Sequence, residues 1–157
     1  MEGRVTVPPE LQRDLEPVRG LLEETTTMVL ATRMPDGTPR ATPVYFAADD
    51  RLRLFFLSDP DSVHSRNLTA SPQASAAIYP EEGNWRKLRG LQMTGQARAL
   101  DGGEADAARR VYAHRFPFVA ELASAMAASR IYAFAPSWVR LIDNRRRFGF
   151  QQEWTLA

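Results

Sequence analysis

The chain has 157 residues, 20 basic and 19 acidic, a formal net charge of +1 and no cysteine. That length supports a core with no disulfide or metal staple, and a 44% hydrophobic fraction at near-zero charge excludes a mainly disordered chain. The missing thiols exclude disulfides and thiolate nucleophiles or metal ligands, and two histidines, His64 and His114, are too few for a zinc site of His alone.

The elements read in order from the N-terminus. Pro8-Pro9 opens a helix on which Leu11, Leu15, Val18, Leu21 and Leu22 recur at helical spacing, and the β-branched run Thr25-Thr26-Thr27 ends it. Met28 to Thr32 and Ala41 to Phe46 form a hairpin around Pro35-Asp36-Gly37-Thr38-Pro39, and Arg51 to Leu57 follows the Asp49-Asp50 turn as a third strand. Asp61 or Ser62 caps a short helix carrying Val63, His64, Arg66, Asn67 and Leu68. Ala74 to Tyr79 is a fourth strand. Lys87 to Leu100 is the longest, its Gly90 and Gly95 marking bulges or close backbone approach. Helical segments at Gly103 to His114 and Phe118 to Ala128 precede strands at Ile131 to Phe134 and Trp138 to Ile142, with Pro136-Ser137 as the corner between them. Helix, strands, helices, strands is an α+β order with a mostly antiparallel sheet or barrel, not the alternation of a parallel α/β fold.

Catalytic motifs are scarce. There is no G-x-S-x-G, G-x-G-x-x-G, Walker or H-E-x-x-H pattern, and the paired carboxylates Asp49-Asp50 and Glu81-Glu82 sit in turns. Chemistry in such a chain falls to a cofactor. One segment has the make-up of an anion site: Ser58, Ser62, His64, Ser65 and Arg66 lie within nine residues at a helix start. By composition alone a helix cap with solvated neighbours explains it equally simply, and caps are the commoner arrangement. Arg145-Arg146-Arg147 is the densest charge; it reads as a phosphate, acidic-substrate or nucleic-acid contact, or more plainly as a solvated turn.

The ordered series of motifs resembles the pyridoxamine 5′-phosphate oxidase-like FMN-binding split-barrel family, in a short, largely uncharacterised branch. The match is carried by Leu30-Ala31-Thr32, Asp36-Gly37-Thr38-Pro39 and Thr42-Pro43-Val44-Tyr45-Phe46, then by Phe55-Phe56-Leu57-Ser58 with Val63-His64-Ser65-Arg66-Asn67-Leu68 and Ser71-Pro72. Gln92 to Arg98, Ala107 to Pro117, Ile142-Asp143-Asn144 and Phe148-Gly149 extend it over most of the chain. The resemblance implies a six-stranded, mostly antiparallel split β-barrel with flanking helices. It implies one FMN-binding domain over 1–157: an N-terminal helix (1–25), five strands (26–100), a helical insertion (103–128) and closing strands (130–157). It further implies a homodimer with FMN in clefts at the interface, acting as an oxidoreductase of unknown substrate.

On this resemblance the cofactor-binding residues are Pro43, Val44 and Tyr45 beside the flavin, Ser58, His64, Ser65 and Arg66 at the phosphate, and Trp85, Asn144 and Phe148 near the cleft; no catalytic side chain and no metal site is assigned. His64 stands where many members carry Lys. That departure keeps open a non-catalytic binding module for another planar ligand, such as haem, a pyridoxal derivative or a deazaflavin. Neighbouring strand residues face opposite ways, so of Tyr45 and Phe46 one packs inward and one faces out. Trp138 is expected in the core and Trp154 against a partner subunit. The chain has no stretch of about 20 apolar residues to span a bilayer and opens without an apolar signal segment. A cytoplasmic protein with neither membrane nor nucleic-acid partner is the expectation.

Overall fold

The computed structural model describes residues 14–156. Helix α1 (Glu16–Glu24) buries Val18, Leu21 and Leu22; its expected opening at Pro8-Pro9 and Leu11 lies outside the described residues. Thr25 stops it. Its backbone is extended, and both its N–H and its hydroxyl donate to the Leu21 carbonyl.

Strands β1 (Thr27–Arg33) and β2 (Pro39–Tyr45) pair as the expected hairpin from Thr27 opposite Tyr45 to Arg33 opposite Pro39. Gly37 supplies the turn with φ 89°, and the Asp36 carboxylate accepts the Thr38 N–H at 2.9 Å. Strand β3 (Ala47–Ala48) then pairs with β4 (Leu54–Ser58). The third strand was expected from Arg51. Residues 51–53 instead extend the turn: Asp49 accepts the N–H groups of Arg51 and Arg53. Leu52 takes a left-handed φ of 63° there. Complete burial of its side chain offsets the cost of that conformation.

Helix α2 (Val63–Ala70), β5 (Gln73–Ile78), a single-turn 3-10 segment (Trp85–Lys87) and β6 (Arg89–Ala99) follow. Helix α3 (Gly102–Arg115), a second 3-10 segment (Pro117–Ala120) and α4 (Ala123–Ala128) precede β7 (Arg130–Asp143) and β8 (Gln151–Thr155). All pairings are antiparallel, in the order β2-β1-β5-β6-β7-β4-β3, with β8 added on β7. The curled sheet with flanking helices is the α+β split-barrel architecture expected. Seven strands have five residues or more, one beyond the expected six, and the two-residue β3 is in addition.

The closing strands expected at 131–134 and 138–142 are one strand, β7. Pro136 does not break it because the β6–β7 register shifts beside it, between Thr94 and Gly95. Gly95 is required at that point: a Cβ would collide with the Ala135 carbonyl oxygen and stand 2.8 Å from Pro136 Cα.

The main core fills the barrel with Leu30, Phe46, Phe56, Ile78, Met93 and Phe134, and α1 caps it. A second cluster lies outside the sheet, where Ala108 and Tyr112 of α3 and Phe116 just beyond it cover Phe55, Ile131 and Ala133. The two C-terminal tryptophans exchange their expected places. Trp154 is 6% exposed and belongs to the chain's own core. Trp138 lies on the outer face under the Arg140 guanidinium and donates to Glu153 at 3.2 Å. Among the described residues no helix is long and apolar enough to cross a membrane.

Candidate functional site

Ser58 ends β4, and the loop after it returns at Ser62, the N-cap of α2, whose Oγ accepts the Ser65 N–H. This fold-back gathers four polar side chains. The hydroxyls of Ser58, Ser62 and Ser65 form a triangle with sides of 3.1, 2.8 and 3.1 Å. His64 Nε2 lies 2.6 Å from Ser58 Oγ. Ser65 is fully buried and Ser58 nearly so, while burial lowers the imidazole of His64 below its ordinary 6.5. Arg66, the next residue of α2, is exposed, and its guanidinium has no hydrogen bond or ion pair among the described residues.

Asn67 locks this helix to the barrel. Its side chain is 4% exposed and donates to the Thr32 hydroxyl at 3.1 Å. The anion-type cluster therefore sits on an element anchored to β1, at the end of β4.

Strand β2 supplies the neighbouring residues. It is the edge strand of the sheet beyond β1, so on its open flank alternate N–H and C=O groups face away from any partner strand. Because β3 continues β2 and pairs with β4, Pro43, Val44 and Tyr45 flank the gap between β2 and β4, with Ser58 further along β4. Val44 packs on the main core and Phe46 is fully buried. Tyr45 points outward, 51% exposed, with its ring 5.5 Å from both Phe116 and Phe118. Sequence reading placed Phe116 and Phe118 in the helical region only. The Phe-Pro-Phe triplet is the one local signal that α3 ends there in an aromatic cluster.

The remaining three residues form a second group. Trp85 and Phe148 meet edge to face at 5.6 Å, both largely exposed, and Asn144 donates to the Trp85 carbonyl at 2.7 Å and accepts the Gly149 N–H. Arg86 stacks over Trp85 at 4.3 Å. Within one chain the two groups are separated by the whole of β7. Ser58 pairs with Arg130, its first residue, whereas Asn144 follows Asp143, its last. Thirteen residue steps of strand correspond to roughly 40 Å of contour.

The triple-arginine turn is largely absorbed by the fold. Arg145 bonds the buried Asp143 carboxylate through its N–H and guanidinium, and Arg146 and Arg147 lie over Phe150. Burial pushes the Asp143 carboxyl up, but the Arg145 hydrogen bonds and the two neighbouring positive charges outweigh it and hold it below 3.8. Among the described residues no group of three His, Cys, Asp or Glu could hold a metal ion.

The face formed by β1, β5, β6 and β7 on the side away from the core carries small and polar side chains. Ala31, Ser75, Thr94 and Ala135 line a concavity of about 790 Å³, and Val29, Ala77 and Gln92 line one of about 420 Å³ beside it. Gln92, Thr94 and Ala135 are exposed on this face, and Val29, Ala31, Ser75 and Ala77 are partly so.

A family model described as "Pyridoxamine 5'-phosphate oxidase" matches residues 15–143. A UPF0306 protein of Enterobacter sp. (strain 638) is 29% identical over 117 residues, 74% of this chain and 79% of the relative. Among solved structures, a heme binding protein from Mycobacterium smegmatis superposes with a TM-score of 0.77 at 22% identity, covering 96% of this chain and 60% of that one. HutZ, the heme storage protein from Vibrio cholerae, superposes with a TM-score of 0.65 at 20% identity, covering 90% and 94%.

Proposed function

The chain belongs to the pyridoxamine 5′-phosphate oxidase family, and from that premise we propose that it is an FMN-binding flavoprotein, a homodimeric oxidoreductase with the cofactor at the subunit interface. The observation that carries the reading is the cluster at the start of α2: three converging hydroxyls, an imidazole and an unpaired guanidinium on anchored backbone. That donor set fits a phosphate monoester. Hydroxyls and backbone N–H groups at a helix N-terminus bind phosphate oxygens, and Arg66 supplies a fixed positive charge.

Bound FMN would supply the electron-transfer chemistry, which asks no acid or base of the protein. The protein's part is to hold the phosphate at Ser58, Ser62, Ser65, Arg66 and His64, to lay the open edge of β2 at Pro43, Val44 and Tyr45 along the ring, and to limit access of water and substrate. Two copies packed through the small-residue β1–β5–β6–β7 face, with strands crossing in opposite directions, would bring Trp85, Asn144 and Phe148 of one copy toward the phosphate cluster of the other. The separation of the two groups along β7 is the reason a site using both needs two chains.

A second reading, a non-catalytic module for another planar ligand, has one specific support: two proteins of this fold carry haem in their names. One experiment separates the two. Purified protein is loaded with FMN or with haemin, desalted, and its visible spectrum recorded. A retained flavin spectrum with quenched fluorescence supports the flavoprotein. A Soret band with no retained flavin overturns it in favour of the haem module.

A further inference from the structure

The hydroxyl triangle has a direction. Ser62 Oγ donates to Ser65 Oγ, and Ser65 Oγ donates to Ser58 Oγ. Each serine has one hydroxyl proton; that of Ser58 has two acceptors in reach, the Asp59 carbonyl at 3.4 Å and His64 Nε2 at 2.6 Å, and the shorter contact takes it. With Nε2 as acceptor, His64 is neutral and carries its proton on Nδ1. In this state every hydroxyl proton of the cluster points inward. A fixed positive charge stands next on the helix at Arg66.

We propose that the cluster is a proton-coupled phosphate site: binding of a phosphate group is accompanied by uptake of one proton at His64 Nε2, which reverses the hydrogen bond to Ser58 and turns the Ser58 hydroxyl out toward the ligand. The proposal rests on the flavoprotein reading and specifies how its phosphate site works. The proton comes from water. Nε2–H then donates to Ser58 Oγ, freeing the Ser58 proton, and the imidazolium adds a second positive charge beside the phosphate. A family site with Lys at this position would be charged before the ligand arrives; this chain becomes fully charged only with it.

The charged groups around His64 leave room for that change. Asp59 and Asp61 stand in its loop, and the Asp59 carboxylate caps the Asp61 N–H. Arg66 follows on its own helix. Arg33 ends β1, against which α2 packs. Arg98 on β6 pairs with Glu104. Arg130 on β7, opposite Ser58, pairs with Asp101 at 2.9 Å. Burial is what lowers the free imidazole below 6.5, and an adjacent phosphate dianion raises it. Between those two values, affinity falls as pH rises, by up to about tenfold per pH unit for one coupled proton.

The test measures FMN dissociation constants between pH 6.5 and 8.5 for the wild-type protein, His64→Lys and His64→Gln, together with imidazole NMR titrations of the wild-type protein with and without FMN. The ligand's own phosphate titration, near pH 6, is common to all three proteins and cancels in the comparison. The expected result is a wild-type affinity that weakens with pH relative to both variants, a His64→Lys protein that holds FMN more tightly at pH 8.5, and a His64 signal whose pKa rises on FMN binding while His114, the other of the two histidines, does not move. FMN binding by the wild-type protein with the same pH profile as His64→Gln, or an unshifted His64 signal, overturns the proposal and leaves the flavoprotein reading intact. Failure of both the wild-type protein and His64→Lys to bind FMN at any pH overturns the flavoprotein reading, and the proposal with it.

Discussion

At the residue scale, the contrast between Arg66 and its neighbours decides what each substitution does. Arg66 is exposed and has no partner to lose, so Arg66→Ala should leave thermal stability unchanged within about 0.5 kcal/mol. It removes a charged hydrogen bond of about 1.5–3 kcal/mol to the phosphate, so the FMN dissociation constant should rise by about 10–100-fold in a fluorescence-quenching titration. Asn67 is the converse case, buried and hydrogen-bonded to β1. Asn67→Ala strands the Thr32 hydroxyl and should cost about 1–3 kcal/mol in a urea melt. Asp143 is a buried carboxylate whose charge matters to acid stability. Its carboxyl is held below 3.8 in the fold, so its contribution is present above that unfolded value and is lost as pH falls through the lower folded one. Asp143→Asn should therefore be less stable than wild type at neutral pH and show a flatter loss of stability below about pH 4. The cluster itself was legible in the sequence because Ser58 to Arg66 span one loop and one helix start. Its proton order was not, because it depends on which hydroxyl lies nearest the imidazole.

At the element scale, β7 explains most of what sequence reading could not supply. A Pro-Ser pair between two apolar runs reads as a corner, and Pro usually ends a strand. Here Pro136 is accepted because Gly95 on β6 has no side chain, so the two backbones close together at the register shift. Gly95→Ala should force them apart. The expected loss is about 1–3 kcal/mol, as for an overpacked core. For a domain of this size that is a fall of several degrees in melting temperature by calorimetry. The hairpin of β1 and β2, by contrast, was legible to within two residues at each end, since Asp36-Gly37 sets the turn. Alternation along the strand put one of Tyr45 and Phe46 inward and one outward, and the structure makes Phe46 the inner one. It could not place Trp138 and Trp154, whose faces depend on β8, a strand that sequence reading did not separate from the terminal segment.

At the scale of the whole molecule, the split of the candidate residues into two groups is the consequence of one continuous strand. The family resemblance assigned all ten to one cofactor at a subunit interface, and the length of β7 is what keeps the two groups apart within one chain. Pairing of two copies through the outer face of small side chains, as proposed, would reunite them. Ser75 sits on it between Ala31 on β1 and Thr94 on β6. Ser75→Arg places a long charged side chain in a face that is open in the single chain, so the fold should persist by circular dichroism. The protein should become monomeric by sedimentation and lose FMN together with its dimer.

The most direct test of the account is native mass spectrometry of the wild-type protein after loading with FMN and desalting. One dominant species is expected, with the mass of two chains and two FMN. A monomer that retains FMN would contradict the shared site. A dimer that emerges without flavin would contradict the cofactor assignment.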